Sequence, residues 1–361
     1  RVRAELAREH PSLGWLGVCD IDSELMTKLA ADTGADYATA DFHELVSRPE
    51  VDAVIVATDE NWHVDPILAS VEHGHRLFIE KPLATDPARS AEVLKAIEDN
   101  GTDAVVGYTQ RFRRRFITAR QRIRDGAIGD VTTVVTRAFM NRMVPLATLE
   151  RTDRRGTLTP MVVSGTHSLD VCLWLLEGME GKQPVEVYAR AGDQVLGELG
   201  TKDNTLAIFT LADGSLWNMT ISWALPITWP GAVYGLEIGV VGTTGVLDIE
   251  DTHRDVVVAS ETAQGPGYQP KGFQAAQPRL VDFVGSYPPG DYGQYGLWGP
   301  MREETNSWYN RLISGRPTQH ATAHDGHRNL LLTMAMDLSA RTGEPVKLPP
   351  DPDELRKGLG L

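Results

Sequence analysis

The sequence predicts two domains: an α/β domain on a parallel sheet, followed by an α+β domain on a large, open, mostly antiparallel sheet. Three observations predict this fold class. The chain has 361 residues, which is too long for one ordinary core and about right for two. Short apolar strands alternate with helices up to Gly107, as in parallel sheets covered on both faces. Beyond Asp130 the runs become longer and rich in β-forming residues, which is typical of neighbouring antiparallel strands.

The elements of the first domain follow from apolar spacing and from turn residues. The opening segment places Val2, Leu6 and Ala7 at helical spacing, and His10-Pro11 ends this helix. The remaining predicted elements are strands over Leu16–Cys19, Ala53–Ala57, Arg76–Ile79 and Ala104–Gly107, and helices over Ser23–Ala31, Pro66–Glu72 and Pro87–Glu98. Strand and helix therefore alternate as a parallel sheet requires.

The second domain is predicted from strand-like runs around one long helix. The strand-like runs are Val131–Arg137, Leu206–Leu211, Leu216–Trp223 and Leu236–Val241. A helix over Met161–Glu177 interrupts them and is stopped by Gly178. Residues 262–300, rich in Gly, Pro, Tyr and Gln, predict a long loop excursion. We expect a first domain over residues 1–112 and a second over 113–361, whose final helix packs back on the first domain.

The composition excludes several classes of partner. The formal net charge is −14, which argues against nucleic acid or an anionic membrane, because phosphates are neutralised by clustered Lys and Arg. The short basic run over residues 111–115 is typical of a solvated helix start or a local anion contact. Cys19 and Cys172 both lie in apolar stretches, so we expect buried thiols and a reducing, cytoplasmic compartment. No run approaches the roughly 20 apolar residues that cross a bilayer, so no membrane partner is expected.

Two polar turns follow predicted strands at the edge where open α/β sheets bind ligands. Asp20 can accept both hydroxyls of an adenosine ribose and repel a 2′-phosphate, or it can cap a helix, for which Asp22 is the better candidate. The turn Ala57–His63 follows a later strand. Its histidine can serve a ligand or merely begin a helix.

The sharpest feature is Glu80-Lys81-Pro82, at the end of the next strand. A side chain positioned to take or give a proton is worth about 10²- to 10⁴-fold in rate. A lysine qualifies only if desolvation or nearby cations bring its pKa toward neutrality. Pro82 restricts the backbone just past Lys81. The alternative is an ordinary surface lysine before a turn proline.

His167 and Asp170 are three residues apart on the long helix and therefore share one face. His167 can hydrogen-bond a reacting hydroxyl while Asp170 fixes its ring, or His167 can be a core histidine satisfied by its own helix.

Two other groups of residues each allow a functional and a structural interpretation. The histidines, which either ligate one metal ion or line a helix-entry loop, are His320, His324 and His327. The aromatics, which either stack on a sugar or fill the sheet core, are Trp223, Trp229 and Tyr234.

Six short motifs occur in a fixed order along the chain. They are Thr58 with His63, Glu80-Lys81-Pro82, Gly107-Tyr108 with Gln110-Arg111-Phe112, Gly126-Ala127-Ile128-Gly129, Gly165-Thr166-His167-Ser168-Leu169-Asp170, and Asp325-Gly326 with residues 339–343. In this order they resemble the motifs of the Gfo/Idh/MocA oxidoreductase family, which includes glucose-fructose oxidoreductase and inositol dehydrogenases. The likeness covers nearly the whole chain, although Asp59 stands where the family usually has proline.

The resemblance implies a Rossmann-type first domain and NAD as the cofactor, with NADP disfavoured by Asp20. It implies hydride transfer between nicotinamide and a carbinol or carbonyl carbon of a sugar, cyclitol or related polyol. Lys81 would be the general acid/base, assisted by His167 and Asp170, in a homo-oligomer that is a dimer or a tetramer. The cofactor-binding residues that it implies are Asp20, Ile21, Ala57, Thr58, Asn61, His63, Glu80, Lys81, Gln110 and Arg111.

Two departures from the family pattern keep other functions open. Val163 stands where many members carry an aspartate that works with the lysine. The Gly-x-Gly-x-x-Gly turn that binds a pyrophosphate does not occur before the opening helix. Because Arg1–His10 fits the helix after such a turn, we infer that the first strand and glycine loop are missing from this sequence. The alternatives are a catalytically silent NAD-binding or regulatory protein and, less favoured, a metal-dependent hydrolase using the three late histidines.

Overall fold

The computed structural model describes residues 1–150, 155–226, 234–250, 256–264, 279–284, 290–293 and 296–361. These residues divide into two compact units by their internal contacts, and each unit is described by itself. The first unit comprises residues 1–109 and 297–327, and the second comprises residues 110–296 and 328–361.

The helices and strands are numbered along the chain. Up to residue 109 they are α1 Val2–Arg8, β1 Gly17–Cys19, α2 Ser23–Thr33, β2 Tyr37–Thr39, α3 Phe42–Val46, β3 Ala53–Val56, α4 Val64–Glu72, β4 Arg76–Glu80, α5 Pro87–Asp99 and β5 Ala104–Gly107. From there to residue 298 they are α6 Arg114–Arg124, β6 Val131–Asn141, α7 Met143–Glu150, α8 Thr166–Leu176, β7 Pro184–Gly192, β8 Asn204–Leu211, β9 Leu216–Leu225, β10 Tyr234–Gly242, β11 Val246–Glu250, β12 Val256–Gln264, β13 Arg279–Val284, β14 Asp291–Gly293 and β15 Gly296–Trp298. The last ones are α9 Pro300–Ser314, β16 Ala321–Thr322, α10 Ala323–Thr342, β17 Val346–Lys347 and α11 Pro352–Leu359.

The first unit is built on parallel strands with helices on both faces, as predicted. β3, β4 and β5 are parallel, β16 pairs antiparallel with β5, and β1 and β2 form a separate parallel pair. β4 is apolar throughout its middle because both of its faces are covered. Leu77 and Ile79 pack with Ile67 of α4, whereas Phe78 packs on the opposite face with Trp308 of α9.

The second unit is built on a seven-stranded sheet in the order β11-β10-β6-β9-β8-β7-β17. All its neighbouring strands are antiparallel except β6 and β9, which are parallel. This confirms the predicted mostly antiparallel sheet. Burial alternates along the strands, so that Trp217, Met219 and Ile221 of β9 lie in the core while Leu206 and Ile208 of β8 face outward.

The structure differs from the sequence prediction in two places. The helix predicted over 161–177 begins with a π-helical turn over Met161–Gly165, and α8 begins only at Thr166. A Cβ added to Gly165 would lie 2.7 Å from the Met161 sulfur, so a larger residue would require the flexible Met161 side chain to shift. The loop predicted over 262–300 was wrong in part, because β13, β14 and β15 lie within it. Its residues 265–278, 285–289 and 294–295 lie outside the described residues.

The closing segments of the chain divide between the units. Residues 297–327, with α9 and β16, belong to the first unit, and residues 328–361 belong to the second. The final helix α11 packs against α10 within the second unit: the Arg341 side chain donates to the Leu359 carbonyl, and Gly358 lies against Leu338.

Candidate functional site

The carboxyl ends of β3, β4 and β5 meet at one edge of the first unit's sheet. Val56 pairs with Ile79, and Glu80 pairs with Gly107, so the three strands end at nearly the same level. Lys81 begins the turn at this edge and is partly buried. Because ligands of open α/β sheets bind at the carboxyl ends of the strands, the predicted lysine stands where a ligand is expected.

Glu80, on one side of Lys81, is held by Arg3 of α1. Arg3 Nε donates to Glu80 Oε1 at 2.7 Å, and its guanidinium lies over the Phe78 ring, 4.3 Å from the centroid. A Cβ added to Gly107 would lie 3.0 Å from Glu80 Oε2, so the neighbouring strand also confines this carboxylate. Glu80 therefore has a fixed position directly before the lysine.

His63 braces the other side of the lysine turn. Its Nδ1 lies 2.7 Å from the Pro82 carbonyl oxygen, and its Nε2 lies 3.1 Å from the Thr58 carbonyl oxygen. The ring is 1% exposed and joins the turn after β3 to the turn after β4. The Thr85 hydroxyl donates to Asn61 Oδ1 at 2.8 Å, a second link between the two turns. The structure thus brings together the residues predicted around both strand ends.

Asp20 and Ile21 follow β1. Asp20 Oδ1 accepts the backbone N–H of Asp22 at 3.0 Å, and Asp22 in turn caps α2 by accepting from the N–H groups of Glu24 and Leu25 at 2.9 and 3.0 Å. The capping prediction for Asp22 is confirmed. Ile21 is 88% exposed. A carboxylate beside an exposed apolar side chain fits an adenosine, because the one can accept ribose hydroxyls and the other can cover the base.

The other residues predicted to bind the cofactor divide between the units. Ala57 and Thr58 are exposed at the end of β3 in the first unit. Gln110 and Arg111 belong to the second unit and are 2% and 3% exposed. Gln110 Oε1 is buried and has no hydrogen-bond partner among the described residues. Such an acceptor is suited to a donor from outside the chain.

Asp170 lies on α8 and is fully buried with Arg111. Arg111 donates to both carboxylate oxygens, and Asn329 Nδ2 donates to Oδ1 at 2.9 Å. The predicted role of Asp170, fixing the ring of His167, stays a prediction, since these bonds serve Arg111 and Asn329.

His167 lies in the first turn of α8 and is partly exposed. The π-helical turn before it contains Val163, which is 6% exposed. π-helical turns inside helices occur frequently at functional sites. The apolar side chain of Val163 thus occupies the position at which the family pattern has a carboxylate.

The late histidines make separate contacts. His320 Nε2 lies 3.0 Å from the Glu304 carbonyl oxygen, His327 Nδ1 lies 2.9 Å from the Ser90 hydroxyl, and His324 is exposed. Within the described ranges, no three or more His, Cys, Asp or Glu side chains are arranged to hold a metal ion. These contacts do not support the metal-dependent alternative.

The aromatic set belongs to the sheet core as far as it is described. Trp223 is 0% exposed, and its Nε1 donates to the Ser164 hydroxyl at 2.9 Å, so it is not placed to stack on a sugar. Trp229 and the side chain of Tyr234 lie outside the described residues.

The buried charges beside the lysine turn were not predicted from the sequence. Glu304 is 0% exposed, and its Oε2 accepts from Arg3 Nη2 at 2.5 Å and from the Thr109 hydroxyl at 2.9 Å. A signal was present, because Arg3 shares the apolar stripe of α1 with Leu6 and Ala7. A charged residue on a buried helix face is rare unless it is paired.

Family profiles and relatives agree with this architecture. The profile described as "Oxidoreductase family, NAD-binding Rossmann fold" matches residues 2–108, and the "GFO/IDH/MocA C-terminal domain" matches residues 116–248. An inositol 2-dehydrogenase of Rhizobium meliloti (strain 1021) is 28% identical over 286 residues, covering 78% of this chain and 79% of the relative. A myo-inositol 2-dehydrogenase of Thermotoga maritima is 24% identical over 336 residues, covering 92% and 90%.

A solved structure shares the fold. Scyllo-inositol dehydrogenase from Lactobacillus casei, with bound NAD(H) and scyllo-inositol, matches with a TM-score of 0.73 and 17% identity, over 96% of this chain and 95% of that one. Among the helices that the structure describes, none has the length and apolar character needed to cross a membrane. The chain belongs to the Gfo/Idh/MocA family of oxidoreductases, and its first domain is the family's NAD-binding Rossmann domain.

Proposed function

We propose that this protein transfers a hydride between NAD(H) and a carbinol or carbonyl carbon of a sugar, cyclitol or related polyol, with Lys81 as the general acid/base. The supporting observation is the position of Lys81, partly buried at the end of β4 between Glu80, which Arg3 holds, and Pro82, whose carbonyl contacts His63. The relatives named as inositol dehydrogenases support a polyol as the substrate class.

In the oxidative direction the carbinol carbon loses its hydrogen as hydride, and its hydroxyl loses a proton. NAD, when bound, supplies the nicotinamide ring that accepts the hydride. The neutral amine of Lys81 takes the hydroxyl proton and becomes an ammonium as the carbonyl double bond forms. In the reductive direction the Lys81 ammonium returns that proton to the carbonyl oxygen. A base so positioned contributes about 10²- to 10⁴-fold to the rate.

His167 is assigned the supporting role, hydrogen-bonding the reacting hydroxyl or sharing its proton. This assignment rests on its motif and on its partly exposed position after the π-helical turn. Since Val163 replaces the usual aspartate, Lys81 and His167 act without a third catalytic carboxylate. Asp170, paired with Arg111, is assigned to holding α8 in place.

Cofactor binding is assigned to the residues that the resemblance implies. In this proposal Asp20 and Ile21 serve the adenosine, and Gln110 offers its buried carbonyl oxygen as an acceptor. The remaining proposed cofactor contacts are Ala57, Thr58, Asn61, His63, Glu80, Lys81 and Arg111.

The test is a Lys81→Met variant of the full-length protein, assayed for NADH formation on a panel of inositols and sugars. Methionine keeps most of the side-chain volume and removes the amine. We expect kcat/KM to fall about 10²- to 10⁴-fold, a far larger change than any loss of NADH affinity through the proposed Lys81 contact, which a fluorescence titration of the Kd for NADH measures separately. Unchanged turnover in this variant would refute the role of Lys81.

The same panel separates a silent scaffold from an enzyme. If the wild-type protein binds NADH but reduces no NAD with any polyol, and oxidises no NADH with the corresponding ketones, the catalytic proposal fails. The NAD-binding or regulatory alternative would then replace it.

We also propose that the protein is a homo-oligomer that associates through the open face of the seven-stranded sheet. Tyr188, Ile208 and Val135 lie on one row of this face, and Ile208 and Val135 are each 48% exposed. Leu206 is 53% exposed on the adjoining row. Apolar surface of this kind marks association sites. Light scattering of an Ile208→Lys/Leu206→Lys variant should show a smaller species than the wild type, and an unchanged mass would contradict the proposal. The expected cytoplasmic location rests on the cysteine composition and remains part of the proposal.

A further inference from the structure

One cation in the first unit serves two carboxylates. Arg3 is 5% exposed; its Nε donates to Glu80 Oε1 at 2.7 Å, and its Nη2 donates to Glu304 Oε2 at 2.5 Å. Its Nη1 donates to the Thr305 hydroxyl at 2.7 Å. The rigid fork of a guanidinium can hold two acids at once in this way, whereas a lysine ammonium fixes no such geometry.

Glu304 is the buried partner of Arg3. Its side chain is 0% exposed, and only Oε2 accepts hydrogen bonds, since Oε1 has no partner among the described residues. Burial raises the pKa of Glu304 to about 7; Arg3 opposes this rise and Glu80 adds to it. Near neutral pH the Glu304 carboxyl is therefore present in both its charged and its neutral form.

The charged and titratable groups around Glu304 come from three sides. Arg3 approaches from α1, Glu80 belongs to β4, and His320 contacts the Glu304 backbone carbonyl from the segment before β16. The Thr109 hydroxyl completes the hydrogen bonds to the carboxylate. Of these groups Glu80 directly precedes Lys81, so the network ends at the lysine turn.

We propose that Arg3 and Glu304 are positioning residues for Lys81, acting through the carboxylate of Glu80. Arg3 holds the residue from which the lysine turn starts, and the protonation of Glu304 decides whether Arg3 pairs with Glu80 alone or shares its charge between two acids. This inference rests on the proposed function of Lys81. In it Arg3 and Glu304 touch no substrate and act only by positioning Lys81.

The test compares Glu304→Gln with wild type. Glutamine keeps the shape of the side chain and stays neutral at every pH. We expect the plot of wild-type kcat against pH to show a component, a change in kcat centred near the Glu304 pKa of about 7. This component should be absent in Glu304→Gln. The KM for the polyol and the Kd for NADH should change less than about twofold. A merely structural role would lower stability and leave the shape of the pH profile unchanged.

A second readout does not depend on activity. Reductive ¹³C-dimethylation makes each lysine visible by NMR, and a Lys81→Arg sample assigns the Lys81 resonance. We expect this resonance to shift near pH 7 in wild type and not in Glu304→Gln. If it does so while no polyol is oxidised, the positioning network stands and the proposed function fails. If activity is present but neither the kcat profile nor the resonance differs between the two proteins, the network is overturned.

Three further variants complete the design. Thr109→Val removes one hydrogen bond that lowers the Glu304 pKa, so the component of the kcat profile near pH 7 should move to higher pH. If Glu304→Gln fails to fold, this variant tests the proposal in its place. A component that does not move counts against the proposal. The matched control is Arg311→Lys, on the same helix α9 as Glu304. Arg311 donates to Asp103 Oδ1 at 2.8 and 2.6 Å, away from Glu80. Arg3→Lys should lower kcat about tenfold and Arg311→Lys should not; equal effects would overturn the inference.

Discussion

Arg111 and Asp170 are joined fork to fork by two parallel hydrogen bonds inside the second unit: Nε to Oδ2 at 2.8 Å and Nη2 to Oδ1 at 2.7 Å. The pair is almost completely buried, and Asn329 of α10 adds a third bond to the carboxylate. The arrangement ties α8, which carries His167, to two other segments of the same unit. The pair therefore fixes the position of a helix that carries a residue of the proposed site.

Asp170→Asn should remove the negative charge that accepts two hydrogen bonds from the buried guanidinium of Arg111. We expect the free energy of unfolding to fall by about 3 kcal/mol, because breaking a buried ion pair is strongly destabilising. The control is Glu177→Gln, which removes the acid paired with Arg120 at the surface and should cost less than about 1 kcal/mol. Urea denaturation of both variants makes the comparison, and equal losses would contradict the prediction.

His63→Leu removes the brace between the two turns. The Pro82 and Thr58 carbonyls lose their contacts with the ring, so the lysine turn is free to move. We expect kcat/KM to fall about 10²-fold, as for a small displacement of a reacting group. His73→Leu is the matched control, since the ring of the exposed His73 contacts the Ala69 carbonyl of its own helix and joins no two turns. A His63 variant with wild-type kinetics would show that the brace is dispensable.

Asp20→Ser should relax the choice of cofactor. Removing the carboxylate ends its repulsion of a 2′-phosphate, so the ratio of kcat/KM with NADP to that with NAD should rise about 10²-fold, a difference of about 3 kcal/mol. Asp22→Ser should leave the ratio unchanged, because serine also caps the start of α2. Steady-state kinetics with both cofactors measure the ratio. An equal rise in both variants would remove Asp20 from the cofactor site.

Asp337→Asn should change how stability depends on pH. Burial raises the pKa of Asp337 to about 7 from 3.8, although the Thr159 hydroxyl donates to it at 2.6 Å and opposes the rise. Between these two values the folded protein holds a proton that the unfolded chain has lost, so stability falls as the pH rises through this window. The neutral asparagine avoids that loss.

We therefore expect Asp337→Asn to match wild type near pH 4 and to be more stable by about 4 kcal/mol at pH 8, since each pKa unit corresponds to about 1.4 kcal/mol. Urea denaturation at both pH values measures the difference. A wild-type protein that loses no stability relative to the variant over this interval would disprove the raised pKa.

Local features of the sequence predicted much of the fold. The apolar runs placed β3, β4 and β5 within a residue or two of their observed bounds, and the Asp22 cap was read correctly. These features are local, because strand and helix periodicity and capping depend on residues within one or two turns of the chain. The π-helical turn at Met161–Gly165 was not predicted, since apolar spacing predicts a helix but does not distinguish a π-helical turn from an α-helical one.

The sequence by itself determined that a lysine would follow a buried parallel strand and that a histidine and an aspartate would share one face of a helix in a second domain. Only the tertiary structure decided which groups surround that lysine: Arg3 and Glu304, which lie 301 residues apart, meet beside Glu80. The reason is physical. Apolar patterning depends on residues that are close together in the sequence. An ion pair between distant residues depends on the distance between atoms that only folding brings together.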